Sequence, residues 1–142
     1  MMNADLELMD AQQNVLDMIA GQADLKSLLN AMADWVEALF PGSVAAFMRF
    51  DPDRHTLSLL PNPRLSRRYA EQLQNVPLGP EQGAFGTAAY RRKVMLTEIR
   101  TAPCWKALRH AAILEGFETC WSSPLITSQG ELLGTFETYY RG

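Results

Sequence analysis

The sequence predicts an α+β domain, an antiparallel sheet with helices on one face and a loop-rich cover on the other. Three observations carry that reading. Two segments near the N-terminus repeat apolar residues at helical spacing. The stretches 43–60 and 120–140 are instead rich in aromatic and β-branched residues around short turns, as hairpins are. Between them, residues 62–117 alternate short helical patterns with Pro- and Gly-rich loops.

Taken in order, "LELMDAQQNVLDMIAG" predicts a helix over residues 5–20. Leu8, Val15, Met18 and Ile19 are its apolar positions, with Leu6, Met9 and Leu16 beside them, and Gly21 ends it. Asp24 caps a second helix, 25–39, in which Leu25, Leu28, Leu29, Met32, Val36 and Leu39 form one stripe. Pro41 and Gly42 stop it. "SVAAFMRFD" reads as a strand, "PDRH" as a turn and "TLSLL" as the returning strand. After "PNPR", Ser66 opens a short helix carrying Tyr69, Ala70 and Leu73. A further helix runs from near Gly83 to near Arg92, "VMLTEI" is a strand, and a helix over 106–115 is broken by Gly116. The hairpin "CWSSPLITSQGELLGTFETYY", from Cys120 to Tyr140, closes the domain.

Composition narrows the class. A chain of 142 residues suits one domain spanning 1–142, with residues 1–21 as an N-terminal helix and 24–142 as the core. Its apolar fraction of 47% and charged fraction of 20% are ordinary for a globular protein. A net charge of −3 creates no field for nucleic acid or an anionic membrane. The longest apolar runs, such as "SVAAFM", are too short to cross a bilayer, and no signal segment opens the chain. With only Cys104 and Cys120, free thiols in a reducing compartment are expected, hence a cytoplasmic domain.

Motifs for chemistry are mostly absent. "GPEQGAFG" lacks both the Gly-Lys-Ser/Thr of a phosphate loop and the dinucleotide spacing. There is no Gly-x-Ser-x-Gly elbow. His55 and His110 are far apart and lack metal-ligand neighbours. No catalytic residue, no metal site and no enzyme activity are expected, and no cofactor can be named.

One set of motifs is specific. "AAFMRFD" (45–51), "GAFGTAAY" (83–90), Pro103 with Trp105, "CWSSPL" (120–125) and "GTFETYY" (134–140) occur in this order along nearly the whole chain. They resemble GAF domains, the ligand-sensing modules of cyclic-nucleotide phosphodiesterases, phytochromes and many bacterial signalling proteins. The resemblance is narrower to bacterial GAF domains attached to cyclic-di-GMP enzymes and histidine kinases, which carry "GSCGTAAY", "P.W", "CWS.PI" and "GTF..YY". Ala84 and Phe85 replace the Ser-Cys pair of that subgroup, and Glu137 replaces an apolar residue. The resemblance implies five or six antiparallel strands, the first beside the last. It also implies a small-molecule pocket between sheet and cover, homodimerisation through the N-terminal helix, and an output domain in the same full-length chain.

Within that implied pocket, the start of the helix at Ala84, Phe85 and Gly86 offers oriented N–H groups. Phe85, Trp105, Ile113 and Phe117 supply walls, Met48 and Ser122 form its floor, and Glu137 is a further candidate contact. The same residues have plainer readings: large apolar side chains are usually core, and the glycines suit tight packing. Two alternatives to a ligand sensor therefore stand. One is a ligand-free regulatory dimerisation module whose pocket is filled by its own side chains. The other is a reductase of methionine-sulfoxide type, which two scattered cysteines disfavour; a bilin-type attachment is disfavoured because Trp follows each cysteine. For Glu137 the favoured expectation is a cross-strand pair with Arg49, on the helix-facing or partly exposed side. The other reading is a pocket carboxylate that accepts N–H donors from a ligand such as a purine.

Overall fold

The computed structural model describes residues 25–141. The helix expected over residues 5–20, with its role in dimerisation, lies outside them. The described chain runs α1 (Leu25–Leu39), β1 (Ser43–Asp51), β2 (Thr56–Leu59), α2 (Arg67–Gln72) and β3 (Val76–Pro77). It continues through α3 (Gly83–Arg91), β4 (Met95–Glu98), a 3-10 turn at Pro103–Trp105, α4 (Arg109–Leu114), β5 (Phe117–Ile126) and β6 (Leu132–Arg141).

The strands form one six-stranded sheet in the order β3-β2-β1-β6-β5-β4, and every neighbouring pair is antiparallel. The first and last strands are therefore neighbours at the centre, in register from Ser43 opposite Tyr140 to Arg49 opposite Gly134. Both edge strands, β3 and β4, come from the segment that otherwise covers the sheet. The expected helix over 106–115 is shorter than its sequence suggests, because Pro103–Trp105 winds as a 3-10 turn and α4 starts only at Arg109.

α1 forms because Leu29, Met32, Ala33 and Val36 recur at helical spacing and bury one stripe. That stripe packs on Ala45, Phe47, Leu125 and Phe136 of the sheet. Phe47 and Phe136, paired across β1 and β6, stack with centroids 4.8 Å apart. After Phe40, Pro41 cannot continue the helix, and Gly42 reverses the chain at φ 85°.

β2 reaches only from Met48 to Asp51 of β1, so the backbone of Ala45 needs other partners. Glu37 Oε2 accepts from Ala45 N–H at 3.0 Å, and Asn62 Nδ2 donates to the Ala45 carbonyl at 2.8 Å. Arg64 then bridges Asp34 and Glu37, tying α1 to the loop that follows β2. These contacts substitute for a strand where the sheet stops short.

Where β6 crosses Arg49 of β1 the two backbones come unusually close. A Cβ on Gly134 would lie 1.9 Å from the Met48 carbonyl oxygen. The β5–β6 register slips nearby, between Leu125 and Ile126. Only a residue without a side chain fits. Gly134→Ala should therefore lower folding stability by about 1–3 kcal/mol through forced separation of β1 and β6. A urea midpoint equal to that of the parent chain would show that the strands part without cost.

Candidate functional site

Alternation along the strands sorts their side chains between the two faces. On the face away from α1, Ala46, Glu137 and Ser122 stand opposite one another on β1, β6 and β5. Met48 and Thr135 form the next row, and Val44, Tyr139 and Cys120 the row on the other side. α2, α3, the 3-10 turn and α4 cover this face, and their side chains complete a continuous core with it.

The cover is fastened by aromatic rings. Phe85, in the first turn of α3, meets Trp105 edge-on at 5.8 Å, and Trp105 meets Tyr139 at 6.5 Å. Phe117 stacks on Tyr139 at 4.5 Å, while Tyr69 packs edge-on to both. The polar ends of these rings are satisfied internally. Tyr69 OH donates to Tyr139 OH at 2.9 Å, and Trp105 Nε1 donates to Thr97 Oγ1 at 2.8 Å. Thr97 in turn donates to the Cys120 carbonyl at 2.9 Å.

α3 starts against the sheet without a side-chain cap at Gln82. Gly83, Ala84, Phe85 and Gly86 are all buried. At Gly83, φ is 72° and an added Cβ would lie 2.9 Å from the Phe85 ring, so Phe85 fits because Gly83 has no side chain. The Thr87 hydroxyl lies within hydrogen-bond distance of the Gly79 and Gly83 carbonyls, anchoring the preceding loop to the helix.

Glu137 is the group that packing alone does not explain. It is fully buried among these rings. Oε1 accepts from Ser122 Oγ at 3.1 Å, whereas Oε2 has no hydrogen-bond partner. Thr135 Oγ1, two residues earlier on the same face, also has none. The expected pair with Arg49 does not form. Arg49 is exposed and stands opposite Gly134, while Glu137 is three residues further along β6, faces the cover and pairs in register with Ala46. Burial without a cation pushes its carboxyl up to about 8, and the hydroxyls of Ser122 and Thr135 beside it offset only part of the rise. At neutral pH it is mainly a neutral acid.

The same burial raises the Cys120 thiol well above its ordinary value, and the negative form of Glu137 would raise it further. Burial also raises Cys104. Both cysteines are free and buried, so neither holds the exposed thiolate that a nucleophile requires. Among the described residues no cluster of His, Cys, Asp or Glu is placed to hold a metal ion. No described helix is long and apolar enough to cross a membrane.

Of the residues singled out from the sequence, Met48, Ala84, Phe85, Trp105 and Phe117 meet in one core, with Ile113 half-buried against it. Ser122 and Glu137 touch directly. Sequence reasoning passed over Thr135, Tyr139, Tyr69 and Thr97. Thr135 and Tyr139 were reachable, because they lie two residues either side of Glu137 on one strand. Tyr69 and Thr97 carried no comparable signal.

This architecture, a six-stranded antiparallel sheet with its first and last strands central, one helical face and an aromatic cover, is that of a small α+β domain. It is the GAF fold. A GAF sensor protein from Burkholderia vietnamiensis superposes with a TM-score of 0.66 at 18% identity, covering 96% of this chain and 79% of that one. The GAF domain of a two-component sensor histidine kinase from Bacillus halodurans gives 0.62 at 15% identity, covering 84% and 78%. Free methionine-R-sulfoxide reductase from Neisseria meningitidis, solved with its substrate, gives 0.64 at 17% identity, covering 97% and 75%. In sequence, the chain is 29% identical over 136 residues to the methyl sulfide methyltransferase-associated sensor of Methanosarcina acetivorans. That match takes in 95% of this chain and 14% of the relative's length. No family profile matches the chain.

The titration of Glu137 fixes a pH dependence. The native carboxyl keeps its proton up to about pH 8, whereas in the unfolded chain it releases it near 4.5. The folded state therefore binds more protons between these values, and stability falls as pH rises through that window. The loss approaches about 1.4 kcal/mol per pH unit, on the order of 4–5 kcal/mol in all, and levels off above it. Urea titrations from pH 5 to 9 should show this slope in the parent chain and its flattening in Glu137→Gln. Parallel profiles for the two proteins would mean that the carboxyl is not held neutral by the fold.

Proposed function

We propose that this chain is the sensory module of a larger signalling protein. In this reading a small molecule binds between the sheet and its cover, and the bound state is relayed to an output domain in the same full-length chain. The observation that carries the reading is Glu137, a fully buried carboxyl on the cover face with one oxygen unpartnered. A buried group in that condition costs stability, and a fold retains it most readily where something else completes its hydrogen bonds. The proposed contacts are Glu137 and Ser122 on the floor with Met48, the first turn of α3 at Ala84–Gly86, and Phe85, Trp105, Ile113 and Phe117 as walls. The sensor relatives support a regulatory role over catalysis, since the fold itself hosts both. Attachment to a cyclic-di-GMP enzyme rests on motif resemblance alone.

A specific observation favours a second reading. Phe85, Trp105 and Tyr139 already occupy the space under the cover, as a self-filled regulatory module requires. Native mass spectrometry of the purified chain separates the two. The sensor reading expects a co-purifying small-molecule mass that is lost in Glu137→Ala. The self-filled reading expects the bare protein mass, with Phe85→Ala destabilised by about 3–5 kcal/mol through the cavity left behind.

The module is also proposed to dimerise through Leu8, Val15 and Ile19 of the N-terminal segment. Analytical ultracentrifugation should then show a dimer at micromolar concentration that Leu8→Glu dissociates. A monomer in both proteins would remove this part of the proposal.

A further inference from the structure

The layer between the sheet and its cover holds ionisable groups of one kind. Glu137 and Tyr139 on β6, Cys120 on β5, Tyr69 on α2 and Cys104 in the 3-10 turn are all acids, and all are buried. Burial raises every one of them above its ordinary value. The buried residues of α3 and α4, and Val44, Ala46 and Met48 of β1, add no charge. The cations at the margin of the layer are directed elsewhere. Arg109 donates to the carbonyls of Ile99 and Ala102 at 3.0 and 2.7 Å. Arg141 lies over the Phe117 ring, 4.8 Å from its centroid, and its Nε donates to the Glu115 carbonyl at 3.1 Å. Arg91 is exposed. None of these acts on Glu137, which answers to its burial and to the Thr135 and Ser122 hydroxyls.

That composition selects the charge of an occupant. An anion brought into the layer meets no base, and burial already suppresses negative charge there. A neutral molecule leaves Glu137 as it is. A cation lets Glu137 ionise, because a hydrogen-bonded pair of opposite charges holds in a low-dielectric space where one charge alone does not. The aromatic rings favour the same sign, and Arg141 over Phe117 shows a cation already drawn to the edge of the layer. The occupant must also donate hydrogen bonds. Ser122 serves Oε1 of Glu137, but Oε2 and the Thr135 hydroxyl are buried without a partner. A protonated amine has N–H groups for them, and a quaternary ammonium has none.

We propose that the ligand of this domain is a protonated amine with a small apolar body, its ammonium group paired with an ionised Glu137. This rests on the sensory role proposed above and names the class of molecule sensed. The ammonium enters, the Glu137 carboxyl gives up its proton to solvent, and the net charge of the layer is unchanged. Phe85 yields the room for the apolar body, because it lies in the first turn of α3, where no side chain caps the helix.

The test is isothermal titration calorimetry of the full chain with three probes of similar length: pentylammonium, pentan-1-ol and pentanoate. Pentylammonium should bind, and roughly fiftyfold more tightly at pH 8 than at pH 6, as the ionised fraction of Glu137 grows toward its midpoint at about 8. At pH 7 it should release close to one proton, read from the difference in heat between phosphate and Tris buffers. Glu137→Gln should lose the rise with pH and bind pentylammonium no better than pentan-1-ol. If that variant does not fold, the pH profile and proton release of the parent chain decide the matter. Pentan-1-ol or pentanoate binding as tightly as pentylammonium would overturn the amine class and leave a small-molecule sensor standing. Failure of the parent chain to bind pentylammonium at millimolar concentration would overturn it too. A co-purifying mass in native mass spectrometry would then still uphold the sensory reading.

Discussion

The rest of the structure depends on the pairing of β1 with β6. These strands lie near opposite ends of the described chain, and their seven-residue register places them side by side at the centre of the sheet. Joining them closes the longest loop in the fold, an entropic cost that only burial on both faces can offset. The six consecutive buried residues from Ser43 to Met48 match that demand, as does the buried run from Gly134 to Tyr139. Gly134 permits the close approach that ends the register, and Glu37 and Asn62 complete the backbone bonds that β2 does not reach.

Because the central pair is covered twice, every alternate residue on it is committed to one of two different environments. The α1 face is packed with Phe47 and Phe136, and the buried polar side chains that share it, Ser43, Ser123 and Thr138, carry no charge. The opposite face holds a connected set of rings in which the Tyr69 hydroxyl bonds to that of Tyr139 and the Trp105 indole N–H bonds to the Thr97 hydroxyl. Glu137 sits in that second environment, one hydrogen bond short of satisfaction. Its neutral form is tolerated there and its charged form is not, since no cation among the described residues faces it. A carboxyl held in this way responds to pH.

The relation of this site to the solved relatives follows from the same geometry. Sensor domains and a sulfoxide reductase share this fold, so the fold by itself does not separate them. Here the side chains on the cover face are mainly aromatic, and the two thiols in the region are buried with raised titration points.

Much of this was legible in the sequence. The stripe Leu29, Met32 and Val36 specified α1, and the runs "SVAAFM" and "GTFETYY" specified strands, because local periodicity registers directly which faces are buried. The ordered motifs at 83–90, 103–105, 120–125 and 134–140 were enough to imply the sheet order and to gather most of the cover-face residues. The short edge strand at Val76–Pro77 and the late start of α4 at Arg109 were not legible, since two to six residues carry too little periodicity to read. The partner of Glu137 was misjudged for a deeper reason. Sequence places a charge on a strand, but a shift of one residue in register exchanges the two faces, and register is set by the whole pairing of β1 with β6. The amino-acid pattern by itself determined the elements and their kinds. Only the tertiary structure decided that Glu137 turns inward to Ser122 while Arg49 stands in solvent, because that choice belongs to long-range strand alignment rather than to any local stretch of chain.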